Sequence, residues 1–125
     1  MKAAPKSIVA VLGASNNPER YSYKAVELLK SNGFNVIPVH PSGIAVCDYQ
    51  TSKSLSDINS EIDTLTVYVN PSLSSKEAQS IINLNPRRII FNPGTENQQL
   101  EEICSQNGIE VVHGCTLVML RTSSF

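Results

Sequence analysis

The sequence predicts an α/β protein: an open parallel sheet of about five strands, with helices on both faces and three layers in all. Short apolar, β-branched runs recur along the chain. A helical pattern or a crossover loop separates each run from the next, and a polar or Pro/Gly turn closes each one. Strands that alternate with crossovers pair in parallel, because parallel neighbours cannot be joined by a tight hairpin. With 125 residues, 41% of them hydrophobic and 17% charged, the chain reads as a single domain over residues 1–125 with a core of its own.

The first strand is expected over residues 7–12, β-branched at Ile8, Val9 and Val11, as suits a strand covered on both faces. Gly13 ends it. Asn17 offers an N-cap with Pro18 as the first helical residue, and Ser22 is an alternative, later cap. Ala25, Val26, Leu28 and Leu29 form the inner stripe of that helix, and Asn32-Gly33 stops it. The second strand is expected over residues 34–39, with Pro38 near its end, where a lost ladder bond is tolerable. Residues 42–54 have no period and read as a loop at the sheet edge; residues 54–58 fit one helical turn. The third strand covers residues 64–69, with Leu65, Val67 and Val69 on one side, and Asn70-Pro71 breaks it.

Ser74-Ser75-Lys76-Glu77 fits a capping box, followed by Ala78, Ile81 and Ile82 on one helical face. Asn85-Pro86 ends that helix. The fourth strand is residues 88–91, and Asn92-Pro93-Gly94 is a turn. Thr95-Glu96-Asn97-Gln98 is a second capping box, with Leu100, Ile103 and Cys104 as the buried stripe behind it. Asn107-Gly108 stops this helix, residues 109–112 form the fifth strand, and residues 117–120 fit either strand or helix.

Right-handed crossovers bring the turn after every strand to one edge of the sheet. Gly13 to Pro18, Val39-His40-Pro41, Asn70-Pro71 and Asn92-Pro93-Gly94 should therefore converge and outline a ligand crevice. The first turn, Gly13-Ala14-Ser15-Asn16-Asn17-Pro18, is its centre. A helix that begins there points free N–H groups and the positive end of its dipole at an anion. Gly13 leaves bare backbone for a phosphate to approach. Ser15 and Asn16 add side-chain hydrogen bonds, and Arg20 adds charge-assisted ones. On this reading Gly13→Val abolishes binding and leaves the domain folded. Tyr21 and Tyr23 cover the crevice mouth, pack on the sheet, or stack on an adenine.

Other classes fit less well. The dinucleotide fingerprint needs three glycines at set positions and an acidic residue after the second strand; here Ser15, Pro18 and His40 stand in their way. The Walker lysine is missing. A net charge of −1 gives no general pull toward nucleic acid or a membrane surface. Cys47, Cys104 and Cys115 are odd in number and widely spaced, which suits reduced thiols rather than a disulfide framework or a metal site. The first six residues lack the apolar core of a signal peptide, and a cytoplasmic location is expected. Gly13-Ala14-Ser15-Asn16-Asn17 approaches a nucleophile elbow, but Asn17 replaces its second glycine. His113-Gly114-Cys115 invites a thiol reading, yet neighbours on a strand rarely face each other. Asp57 and Asp63 have no evident acid–base partner. No catalytic constellation emerges.

The stretch from Gly13 to Tyr23, followed by Gly33-Phe34-Asn35-Val36-Ile37-Pro38-Val39-His40-Pro41, resembles the CoA-binding domain family. That family is similar to the CoA-binding, Rossmann-like domain of the succinyl-CoA synthetase alpha subunit. Ser54-Leu55-Ser56-Asp57-Ile58 and Gly114 to Leu120 match its general pattern as well, so the resemblance covers nearly the whole chain. It implies a stand-alone module that binds coenzyme A or an acyl-CoA. The glycine turn would meet the phosphates, and the end of the second strand would lie near the adenosine. The family commonly has Asn where this chain has His40, and often has lysines in the next segment, where residues 41–50 have none. Arg20, Lys24 and Lys53 are the candidate partners for the cofactor's 3′-phosphate. The alternatives are an NAD(P)-binding regulatory module, or a nucleotide-binding subunit whose catalytic half lies on another chain. Oligomeric state and protein partners stay open.

Overall fold

The computed structural model describes residues 1–125. Five strands, β1 (Ile8–Leu12), β2 (Asn35–Val39), β3 (Thr64–Val67), β4 (Arg88–Phe91) and β5 (Glu110–His113), form one sheet. Its order is β2-β1-β3-β4-β5 and every pairing is parallel. The chain runs outward from β1 to β2, then returns to β3 and proceeds the other way, so the switch point lies between β1 and β3. Four α-helices lie between the strands, α1 (Tyr21–Ser31), α2 (Pro71–Lys76), α3 (Ala78–Leu84) and α4 (Gln98–Gln106), and α5 (Thr116–Arg121) follows the last strand.

The period-2 alternation of the strands sorts their side chains into two cores. Val9, Val11 and Ile90 face α1 and α5, where Val26, Leu29 and Leu120 meet them. Ala10, Leu12, Leu65, Val67, Ile89 and Phe91 face the other way, onto Ile81 of α3 and Leu100 and Cys104 of α4. These are the expected three layers. The loop after β2 closes the sheet edge: Ser52 pairs with Val39, the Ser52 amide donates to the Pro38 carbonyl (2.9 Å), and the His40 amide donates to Ser52 (3.0 Å).

Several local expectations are corrected by hydrogen-bond accounting. The helix after β1 starts at Tyr21, not at Pro18, because the Asn17 side chain accepts from the Glu19 amide (3.0 Å) and closes a separate turn. Ser22, the later alternative, is a buried residue inside the helix rather than its cap. The Ser74 capping box does not form. Asn70 caps α2 through the Leu73 amide (3.0 Å), and Pro71 takes the first helical position, where a missing N–H costs nothing. Ser74 is buried within α2 and accepts from the Asn97 amide group (2.9 Å). Residues 71–84 are two short helices rather than one. The second box shifts by two residues: Asn97 caps α4 through the Leu100 amide (3.2 Å), and the Glu101 carboxylate accepts from the Asn97 amide (2.8 Å). Ile103, expected in the buried stripe, is exposed. The tail that fitted strand or helix is α5.

Two polar devices brace β4. The Asn92 side chain donates to Thr66 Oγ1 (2.7 Å) and to the Val67 carbonyl (2.9 Å), and accepts from the Thr116 amide (2.9 Å). It thereby ties β3 to the start of α5. At the amino edge Asp63 receives a two-pronged contact from Arg87 (2.9 and 3.2 Å) and a hydrogen bond from Thr64. Asp63, which showed no partner in the sequence, is thus an ion-pair residue far from the crevice. Burial alone would raise its pKa, but the hydrogen bonds from Arg87 and Thr64 and the charges of Arg87 and Arg88 hold the carboxyl below its ordinary value.

Asn92→Ala orphans the Thr116 amide and the Val67 carbonyl, so it should destabilise the protein by about 2–4 kcal/mol in urea unfolding. A loss within error of zero would remove the brace from the account. For Asp63 the folded pKa lies below the unfolded one. The linked stability is therefore complete above the unfolded value of about 3.9 and is lost as pH falls through the lower folded value. The stability advantage of wild type over Asp63→Asn should shrink steadily between about pH 5 and about pH 2. An advantage that stays constant with pH would contradict this linkage.

Candidate functional site

A cleft of about 480 Å³ opens at the carboxyl edge, at the switch point between β1 and β3. Gly13, Ala14, Ser15, Arg20, Tyr21, His40, Asn70, Pro93 and Gly94 line it, so three of the expected turns and the end of β2 do converge there. Ser22, Tyr68, Val69 and Thr95 line it too, none of them expected in the crevice from the sequence. Tyr68 and Val69 fell inside the expected third strand, but β3 ends at Val67, which leaves both in the turn at the carboxyl edge. Asn16, Asn17 and Pro18 form the outer limb of the turn and do not line the cleft, and Lys24 lies beyond it over the Tyr21 ring (5.8 Å). Val39 and Pro41 belong to an adjoining groove, together with Lys53. Pro71 begins α2, outside both. Asn92 is buried beneath the edge, its side chain spent on the brace described above.

Gly13 has a different task from the one its sequence position suggests. Its φ is +86°, and a Cβ there would stand 2.7 Å from Val69 Cγ1 and 3.2 Å from the Tyr68 carbonyl. The bare side of this glycine is filled by the chain leaving β3, not held open for a ligand. Its amide and that of Ala14 both donate to the Val39 carbonyl (3.0 and 3.2 Å). The free donors therefore lie further along. The amides of Ser15 and Asn16 have no protein partner, and neither do those of Tyr21, Ser22 and Tyr23 in the first turn of α1. No side chain caps α1 and no acidic residue sits in its first turn. At each of the other helices that start at this edge an asparagine side chain takes one first-turn amide: Asn70 at α2, Asn97 at α4 and Asn92 at α5.

Side chains extend this donor field. Arg20 is exposed at the N-cap position and makes no ion pair. Ser15 Oγ accepts from the Asn17 amide (3.0 Å), which leaves its own proton free to donate. The Ser42 amide donates to His40 Nδ1 (3.0 Å), so the neutral ring carries its proton on Nε2 as a further donor. Tyr68 sits deeper. Its hydroxyl is shut off from solvent without a hydrogen-bond partner, and burial pushes it up to about 12. Tyr21 is 71% exposed at the mouth, whereas Tyr23 packs against the α1-side core.

The catalytic alternatives separate spatially. His113 bonds Glu101 (2.6 Å) rather than Cys115. All three cysteines are free, and burial pushes the Cys104 thiol up to about 11. No group of three or more His, Cys, Asp or Glu residues gathers as a metal site would need, and no helix is long and apolar enough to cross a membrane.

Gly13→Ala combines the strained φ with the Val69 contact, and should cost about 2 kcal/mol or more in urea unfolding. Adding Val69→Ala should return part of that loss, because one of the two causes is removed. Wild-type stability in the single variant would show that the bend tolerates a side chain. On this geometry Gly13→Val disturbs the fold itself and is no clean probe of binding.

Comparison with known proteins places the chain. A crystal structure of an uncharacterized protein superposes with a TM-score of 0.92 at 44% identity, covering 98% of this chain and 100% of that one. The Thermus thermophilus protein called cell-free ID.343 follows with a TM-score of 0.88 at 26% identity, over 96% of this chain and 91% of that one. The uncharacterized protein YneT of Bacillus subtilis is 22% identical over 104 residues, 83% of this chain and 77% of that protein. The family described as CoA binding domain matches residues 7–121. With that match over nearly its whole length and the parallel sheet open at the carboxyl edge, the chain belongs to the CoA-binding domain family.

Proposed function

We propose that this protein binds coenzyme A or an acyl-CoA without carrying out chemistry on it, with the cofactor's phosphates at the start of α1. One observation carries the reading. α1 alone among the helices starting at the carboxyl edge has no side chain accepting from any of its first-turn amides, and it starts beside the bare amides of Ser15 and Asn16 and the unpaired Arg20. Convergent amides at a positive helix end, with a guanidinium alongside, suit a pyrophosphate. Membership of the CoA-binding domain family supports coenzyme A as the owner of that pyrophosphate. Ser15 and His40 both face the cleft, but each is engaged with its own loop rather than with the other. That supports holding a ligand over acid–base work. The expected cytoplasmic setting fits a cofactor made and used there.

Isothermal titration and thermal shift with CoA, acetyl-CoA, NAD, NADP and ATP test this. CoA and acetyl-CoA should both raise the melting temperature, since a ligand at about 100 times its Kd adds about 2.7 kcal/mol to the folded state. The thioester should survive overnight incubation. Arg20→Ala should weaken CoA by about tenfold with little change in the unliganded melting temperature. A shift with NAD alone, or release of free thiol from acetyl-CoA, would overturn the reading.

A further inference from the structure

We propose that the outer edge of β5 docks another protein: it takes an extended segment, whose side chains alternate between basic and apolar, as a sixth strand of the sheet. The inference is independent of the cofactor reading above.

A sheet edge presents a row of backbone donors and acceptors, and folded proteins cover it, kink it or guard it with charge. The β2 edge is covered, since the loop after that strand pairs Ser52 with Val39. The β5 edge is not. The Glu110 amide donates to the Arg87 carbonyl (3.0 Å) and the Gly114 amide to the Phe91 carbonyl (3.3 Å), so these residues turn their backbone toward β4. In a parallel ladder the alternate residues, Val111 and His113, turn their amides and carbonyls outward. No turn, loop or cap hydrogen bond reaches the backbone of either. β5 has neither proline nor bulge. Its charged side chains are drawn off the edge: Arg87 holds Glu110 back toward β4 (3.3 Å), and His113 lies against Glu101 of α4 (2.6 Å).

The two faces beside this edge differ, and the difference selects the occupant. On the α4 side a groove of about 360 Å³ runs along Val111, lined by Glu101, Glu102, Gln98 and Gln106 among others. α4 carries no lysine or arginine. Glu102 is exposed and has no ion-pair partner. On the α5 side Val112 and Met119 are half-buried, and both lie beside Gly114. An added strand points successive side chains to opposite faces. One set would meet carboxylates, and the other would meet valine and methionine. Lys or Arg alternating with Val or Ile is therefore the complementary pattern, held by main-chain hydrogen bonds to Val111 and His113. A second copy of this chain matches less well. Two β5 edges joined antiparallel about a two-fold axis would put both α4 helices on the same face, with carboxylates toward carboxylates and no α4 cation between them.

Backbone NMR titration with two synthetic peptides is the test, one alternating lysine with valine and the other glutamate with valine. The lysine peptide should slow hydrogen exchange at the Val111 and His113 amides and shift the α4 resonances. The glutamate peptide should bind about tenfold more weakly or not at all, and the gap should narrow as salt is raised. Glu102→Lys, at an exposed position, should weaken the lysine peptide about fivefold and leave the melting temperature unchanged. Equal binding of the two peptides, exchange at Val111 and His113 that the lysine peptide does not slow, or wild-type affinity in Glu102→Lys would overturn the inference. Protection of those two amides in the protein alone, with a dimer mass in sedimentation equilibrium, would overturn it in favour of a second copy. The cofactor reading stands or falls separately, because none of these measurements involves coenzyme A.

Discussion

Three strands meet at the left-handed bend of Gly13. Its amide and that of Ala14 close on the end of β2, and its missing side chain leaves room for the chain leaving β3, which a Cβ there would meet at 3.2 Å at the Tyr68 carbonyl. The switch point therefore stays narrow and rigid at its base. The chain can only leave upward, through residues 15–20, before α1 begins. A wider bend would part β1 from β3 and dissolve the cleft floor that Val69 and Tyr68 provide.

That geometry sets the electrostatics. Because the loop spends its Asx and Ser turns on itself, nothing is left over to cap α1. Unmet amides cost free energy when they are shut away from partners, so such an end persists where water or a ligand can reach it. At α2, α4 and α5 an asparagine supplies the missing acceptor, and those helix ends serve the fold instead. One edge of the sheet thus divides into braced positions and a single open one.

The bracing has a polar interior. Asn92 and Thr116 bond beneath the edge on the α5 side, and Arg88 is buried lower on the same strand face, where it donates to Thr64 (3.0 Å) and lies 4.6 Å from the Phe125 ring. Burial lowers the Arg88 pKa, and no carboxylate contacts it directly. A cation held this way depends on strand register, since a slip by one residue would turn it into the apolar core under α3 and α4. Polar groups on β4 therefore fix the register that lines up Pro93, Gly94 and Thr95 with the cleft.

The sequence by itself determined the layered parallel sheet, the positions of its strands to within two residues at either end, and the edge where the turns gather. Periodicity and chain-breaking residues are local properties, and they are legible without coordinates. It also determined the family, through the spacing of the first turn and the second strand. Tertiary structure decided which hydrogen bonds each polar residue makes. Asn17, Ser74 and Thr95 all carry capping chemistry, and only the placement of competing acceptors such as Asn70 and Asn97 settled which asparagine closes which helix. It decided that Gly13 serves strand packing while Ser15, Asn16 and α1 keep the open amides, because that depends on how closely β3 approaches. It also set Val111 beside Glu102 at the open edge of β5, since side chains separated in sequence become neighbours only through the crossing of the elements that carry them.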